Sequence, residues 1–176
     1  DRMFTEPLII QELQGVSDRL DLRNSRFMDE PGNQVKGLHN LEHFSYLKNW
    51  VLEIATEVFE RVYSFDMTKL KPEMTSMWLN KNPKGAFHPP HFDSNNTLSG
   101  VFFPDGDGDN FSQLTFMRPS SLQLLPEGAI KEWTESNSYE WHCKAKKDTL
   151  CLFPSYINHY VDTNNNEQER LSIAFD

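Results

Sequence analysis

The residues best placed to do chemistry lie in Gly85-Ala-Phe-His88-Pro-Pro-His91-Phe-Asp93. In a β-strand, residues i and i+2 point to the same face. His91 and Asp93 therefore converge on one side while Phe92 faces the other. An imidazole and a carboxylate held together are two of the three ligands of the 2-His-1-carboxylate facial triad. That triad binds Fe(II) and leaves coordination positions open for a cosubstrate and oxygen. The pair alone carries little weight, since six His and twelve Asp in 176 residues give about 0.4 chance matches. A third ligand must come from a distant strand, and the sequence offers His159 within Phe153-Pro-Ser-Tyr-Ile-Asn-His159-Tyr-Val161. Ile157, His159 and Val161 share a strand face, which sets the imidazole among inward-pointing apolar side chains. A dry position keeps the ring neutral, the form that binds metal.

Arg170-Leu-Ser172-Ile-Ala-Phe175 supplies a second kind of site. Arg170, Ser172 and Ala174 lie on one strand face. An Arg turned into a small β core is costly unless an anion meets it, and the chain supplies no obvious adjacent carboxylate there. Its planar guanidinium matches a ligand carboxylate in a two-pronged bond, with Ser172 adding a hydrogen bond. The alternative is an edge-strand Arg facing water. Other motifs fail on context. His39-Asn-Leu-Glu42-His43 matches an inverted zinc-protease pattern, but Asn40 as N-cap puts His39 outside the helix, and no Glu that could serve as the distant ligand occurs between Glu73 and Glu127. Ser45-Tyr-Leu-Lys48 lacks partner motifs, and Asp105-Gly-Asp-Gly-Asp-Asn110 reads as a tight turn rather than a calcium loop.

Positioning these groups requires strands. Leu41 to Phe65 has apolar residues at helical spacing, from Phe44 and Leu47 through Val58 and Val62, with Asn40 as the N-cap. After Pro72 the period becomes two: Met74–Asn80, Leu98–Phe103, Gln113–Met117, Thr149–Phe153, Tyr156–Val161 and Arg170–Phe175 read as short strands. The first third therefore reads as helical and the remainder as an antiparallel sandwich, barrel or jelly roll. The expected organisation is one domain over 1–176, mainly β (α+β), with 1–72 as helical support and 73–176 as the β core.

Composition bounds the function. A net charge of −9 argues against a nucleic-acid binder, which needs a basic footprint. Hydrophobic residues at 38%, including 13 Phe and 4 Trp, exclude disorder despite a mean hydropathy of −0.63. No apolar run approaches the ~20 residues of a membrane span. Cys143 and Cys151 are too few for a disulfide scaffold and lack zinc-site spacing, which fits a soluble cytoplasmic protein. In that setting the sequons at Asn95 and Asn110 are chance matches. The chain begins at Asp1 with no leader-like segment, as a trimmed N-terminus would.

Taken together, His91-Phe-Asp93, His159 and Arg170-Leu-Ser172 resemble the Fe(II)/2-oxoglutarate-dependent dioxygenases, of the type related to prolyl 4-hydroxylases. The resemblance covers about residues 72–176. It implies a double-stranded β-helix, with His91, Asp93 and His159 holding Fe(II) and Arg170, helped by Ser172, gripping 2-oxoglutarate. It further implies O₂-dependent hydroxylation with release of succinate and CO₂. Where many prolyl hydroxylases carry Lys this chain has Arg170, and their Tyr positions hold Asn82 and His88. The substrate, small-molecule or peptidyl, is therefore left open, as is the oligomeric state. His88 either lines the cosubstrate pocket or stands in water, and Asn80 is a second candidate contact. Loops 81–90 and 134–142 are expected to border the substrate. A cupin-like jelly roll that binds metal or a small ligand without turnover is the competing expectation.

Overall fold

The computed structural model describes residues 7–108, 111–118, 127–134 and 137–176. In chain order its strands are β1 (Ile9–Glu12), β2 (Gln34–Lys36), β3 (Met77–Asn82), β4 (His88–His91), β5 (Leu98–Phe103), β6 (Leu114–Met117), β7 (Glu140–Cys143), β8 (Thr149–Pro154), β9 (His159–Val161) and β10 (Arg170–Phe175). The helices are α1 (Val16–Leu20) and α2 (Ser45–Arg61), with short 3₁₀ turns between elements. Two antiparallel sheets result, one in the order β1-β8-β5-β10-β3-β2 and the other β4-β9-β6-β7. This is the expected jelly-roll architecture.

The period-two pattern of β10 explains the layering. Leu171, Ile173 and Phe175 face outward, where they meet Leu79, Phe102, Leu152 and, from α2, Leu47 and Val51. Arg170, Ser172 and Ala174 face the other sheet. All six residues are buried because both faces are covered. Between the sheets a second cluster forms around Phe103, Leu114, Phe116, Cys151, Phe153 and Val161. Each Phe buried this way contributes up to about 3 kcal/mol.

Gly100 lies under the outer cluster between Phe175 and Leu152 of the neighbouring strands. A Cβ added there would come within 2.4 Å of the Phe175 ring and 2.8 Å of a Leu152 methyl carbon. Only Gly lets the three strands close at that point.

Several boundaries differ from the sequence reading. α2 begins at Ser45, and its N-cap position holds Phe44, which offers no capping side chain. Asn40 instead sits in a 3₁₀ turn, Leu38–Asn40. The helix ends at Arg61 because the chain folds back: the amides of Val62 and Tyr63 bond the Val58 carbonyl, that of Phe65 bonds Phe59, and Ser64 is left-handed at φ 55°. The first third is not purely helical, since β1 and β2 form the two edges of the larger sheet. Their side chains are mostly exposed, so they lack the alternation that marks a strand. Met74–Asn80 is displaced to β3, and Tyr156–Val161 shortens to β9 because Tyr156 lies in a turn. β7 was expected as loop; it too is an exposed edge strand.

The N-terminal segment docks through Asp148, whose carboxylate accepts the amides of Gly15 at 3.0 Å and Ser17 at 2.8 Å. Cys143 and Cys151 are buried and free. Asp109 and Asn110, which complete the Asp-Gly turn and the second sequon, lie outside the described residues. No helix among the described residues is long and apolar enough to cross a membrane.

Candidate metal centre

The metal-type side chains come from one sheet. His91 ends β4 directly opposite His159, the first residue of β9. Their rings lie 4.3 Å apart, centroid to centroid. Asp93 follows β4, and its amide donates to the Ser155 carbonyl at 2.9 Å, which ties it to the turn before β9. One Asp93 oxygen lies 3.9 Å from His91 Nε2 and the other 3.7 Å from His159 Nε2. The three ligand atoms all fall within 4.8 Å of one another. The expected pair and its distant partner are thus brought together.

Both imidazoles are oriented by backbone. His91 Nδ1 lies 2.8 Å from the Pro89 carbonyl, and His159 Nδ1 lies 2.9 Å from the Ile157 carbonyl. A carbonyl only accepts, so each Nδ1 carries the proton and each Nε2 presents its lone pair toward Asp93. This is the outer-shell arrangement that fixes metal-binding histidines. His159 is 5% exposed and packs against Phe153 at 4.8 Å. Burial lowers its pKa and favours the neutral ring. His91 and Asp93 are more exposed than His159. Two imidazoles and a carboxylate with converging lone pairs suit Fe(II) and leave half an octahedron open.

Facing them from the larger sheet is Arg170, 2% exposed. Its Nε donates to the Ser112 carbonyl at 2.9 Å, one Nη donates to Ser172 Oγ at 3.3 Å, and its guanidinium lies over the Phe103 ring. It does not face water. Burial pushes its pKa down to about 10, which leaves it protonated at neutral pH. Ser172 accepts from Arg170, so its own O–H remains a donor.

The expectation that no carboxylate stands near Arg170 is corrected. Asp105 lies close enough for its charge to act on the guanidinium, although its ion pair goes to Arg23. Asp105 continues the inward parity of Val101 and Phe103 on β5, the one sequence signal that could have found it.

His88 is half-buried, with Nε2 3.3 Å from Asn82 Oδ1. Burial lowers its pKa first, and the electrostatic influence of Arg170, His91 and His159 lowers it further. Asn82 pairs across strands with Arg170, and Asn80 with Ser172. The Asn80 side-chain oxygen is already taken by Gln34 Nε2 at 2.9 Å. Of the expected border loops, residues 135 and 136 lie outside the described residues, and Glu140–His142 belong to β7. The zinc-protease motif is dispersed: His43 Nε2 lies 2.9 Å from the Leu20 carbonyl, away from this centre.

The model of the family described as "Putative 2OG-Fe(II) oxygenase" matches residues 76–176. The chain belongs to this family. As a 2OG-Fe(II) oxygenase it is an enzyme that uses iron and 2-oxoglutarate. No curated protein sequence matches it. Its fold is that of solved oxygenases. The alpha ketoglutarate dependent epimerase SnoN from nogalamycin biosynthesis superposes with a TM-score of 0.70 at 13% identity, over 97% of this chain and 75% of that one. A Pseudomonas putida prolyl-4-hydroxylase gives 0.64 at 16% identity, over 97% and 86%. HygX from Streptomyces hygroscopicus, solved with nickel and 2-oxoglutarate bound, gives 0.65 at 12% identity, over 97% and 81%.

Proposed function

We propose that this oxygenase hydroxylates a small-molecule or peptidyl substrate, coupled to conversion of 2-oxoglutarate to succinate and CO₂. The observation that carries this reading is the opposition across the sandwich of a two-His, one-Asp cluster and a buried, protonated Arg170. In this reading His91, Asp93 and His159 hold the iron. The metal, when bound, supplies the activation of O₂ that oxidative decarboxylation and substrate oxidation require. Arg170 binds the distal carboxylate of 2-oxoglutarate, and the Ser172 O–H donates a second bond to it. His88, held by Asn82, forms the wall between the two groups. Asn80 supports Ser172 from the neighbouring strand. Fixing the keto acid from both ends removes rotational freedom before reaction. Phe153 and Phe116 keep water from the buried side of His159.

Residues 1–176 act in this reading as one unit, with 1–72 supporting the 73–176 core. A cytoplasmic setting is supported by the two free buried thiols, and the net charge of −9 disfavours a nucleic-acid substrate. A cupin-like binder without turnover would give Arg170 and Ser172 no ligand. The test is an assay of Fe(II)-dependent succinate release against peptide and metabolite pools, with mass spectrometry of the products. A product carrying one added oxygen atom supports hydroxylation. Because SnoN is named an epimerase, succinate release with a product of unchanged mass would replace hydroxylation by an isomerisation of the substrate without its net oxidation.

A further inference from the structure

Beside the cosubstrate pocket lies a charge arrangement that the reading above leaves unexplained. Asp105 follows β5 by two residues, and its carboxylate reaches the same region as Arg170. One of its oxygens is buried with no hydrogen-bond partner, as is the hydroxyl of Ser112, whose carbonyl holds Arg170. A half-satisfied, partly buried carboxylate near a buried guanidinium should be drawn into a direct ion pair. It is not. Asp105 is instead held by Arg23, from the 3₁₀ turn Leu22–Asn24, whose Nε donates to Asp105 Oδ2 at 2.8 Å, with the backbone amide of Leu171 also acting on the carboxylate. Arg23 Nη2 pairs with the same oxygen and also donates to the carbonyl of Glu169 at 2.6 Å. Glu169 immediately precedes Arg170, so one guanidinium fixes both the acid and the start of β10.

We propose that Arg23 is a positioning residue for 2-oxoglutarate, which neutralises Asp105 and holds it away from Arg170 so that Arg170 keeps its charge for the cosubstrate. The inference rests on the assignment of Arg170 as the 2-oxoglutarate anchor. Its logic is a local charge count. Arg23, Asp105 and Arg170 together carry +1. Arg23→Gln lowers the sum to zero and frees Asp105 to pair with Arg170. Asp105→Asn raises the sum to +2. The double variant returns it to +1. Burial pushes the Asp105 carboxyl up and Arg23 holds it down. The comparison is therefore made at about pH 8, well above the ordinary carboxylate range.

The test is calorimetric titration of the metal-loaded, oxygen-free protein with 2-oxoglutarate, alongside Fe(II) affinity and the melting temperature of each variant. Arg23 and Asp105 are both partly exposed, which screens the effect, so about a tenfold loss of 2-oxoglutarate affinity is expected for Arg23→Gln. Fe(II) affinity should stay unchanged. Arg23→Lys, which keeps the charge, and the double variant should both return to within about threefold of the parent protein. A merely structural Arg23 would lower the melting temperature, and Asp105→Asn would not then restore 2-oxoglutarate binding. Absence of rescue, or an Arg23→Gln protein with unaltered affinity, overturns the proposal. Should Arg23→Gln fail to fold, Asp105→Asn alone decides: equal or tighter binding is expected, and a tenfold weakening refutes. If the parent protein binds Fe(II) but not 2-oxoglutarate, the anchor assignment itself falls. If it binds but Arg170 variants bind equally well, that assignment falls by a separate route.

Discussion

Replacing Arg170 by Met removes the charge while keeping a long apolar stem. In the native pocket the guanidinium can offer a ligand carboxylate two charge-assisted hydrogen bonds, each contributing about 1.5–3 kcal/mol. Part of that gain is offset, because burial already disfavours the cation strongly enough to bring its pKa down to about 10. A net loss of about 3 kcal/mol remains, which corresponds to roughly 150-fold in the Kd for 2-oxoglutarate. Stability should change little. The Ser112 carbonyl loses its donor, at a cost of about 1–3 kcal/mol, but a desolvated charge is removed at the same time. Fe(II) affinity should be untouched, since the metal-type ligands belong to the other sheet. The assay is anaerobic calorimetric titration of the iron-loaded protein with 2-oxoglutarate, with a separate Fe(II) titration. A Kd within threefold of the parent would remove Arg170 from the cosubstrate site. Parallel loss of iron affinity would show collapse of the pocket rather than loss of an anchor.

Asp93→Ala should abolish 2-oxoglutarate turnover and weaken Fe(II) binding by at least tenfold; full turnover in that variant would sink the metal assignment. Chelator treatment should silence the parent protein, with Fe(II) and not Mg(II) restoring succinate release, because the donor set is rich in imidazole. Gly100→Ala should cost about 1–3 kcal/mol in chemical denaturation, since the new methyl meets the Phe175 ring at 2.4 Å. Asn164→Ala should cost about 2–4 kcal/mol, because the buried Asn164 amide donates to the carbonyls of Asn82 and Gln168 and its oxygen accepts the Asn166 amide. Denaturation unchanged by that substitution would show that these groups find other partners.

What could be read in advance was the part written in strand parity. His91 with Asp93, His159 among Ile157 and Val161, and Arg170 with Ser172 all follow from period two; β5 and β8 emerged as buried, largely apolar runs, and β10 from the alternation of Leu171, Ile173 and Phe175. Edge strands β1, β2 and β7 escaped because exposed side chains carry no alternation, and hydrogen bonds to a neighbouring strand leave no mark in sequence. Asn40 looked like a cap because its residue type fits, but a 3₁₀ turn intervenes before the helix. Asp105 was hidden for a different reason. It lies in a turn of Asp and Gly residues, and only the pairing of β5 with β10 carries it to Arg170. Likewise, nothing in the local sequence of Arg23 links it to residues 82 and 146 positions away.

The two-sheet origin of the pocket has a mechanical consequence. His91 and His159 are strand residues of the smaller sheet, with Asp93 just after β4, while Arg170 is the first residue of a central strand in the larger one. An anion that touches both is a cross-brace between layers otherwise joined here by Phe103, Phe116 and Phe153. An anion bound in this way would stiffen the sandwich across its thickness. Slackening the sandwich, even by trimming a phenyl ring that never meets the ligand, would lengthen the span the anion must bridge and so be felt as weaker binding.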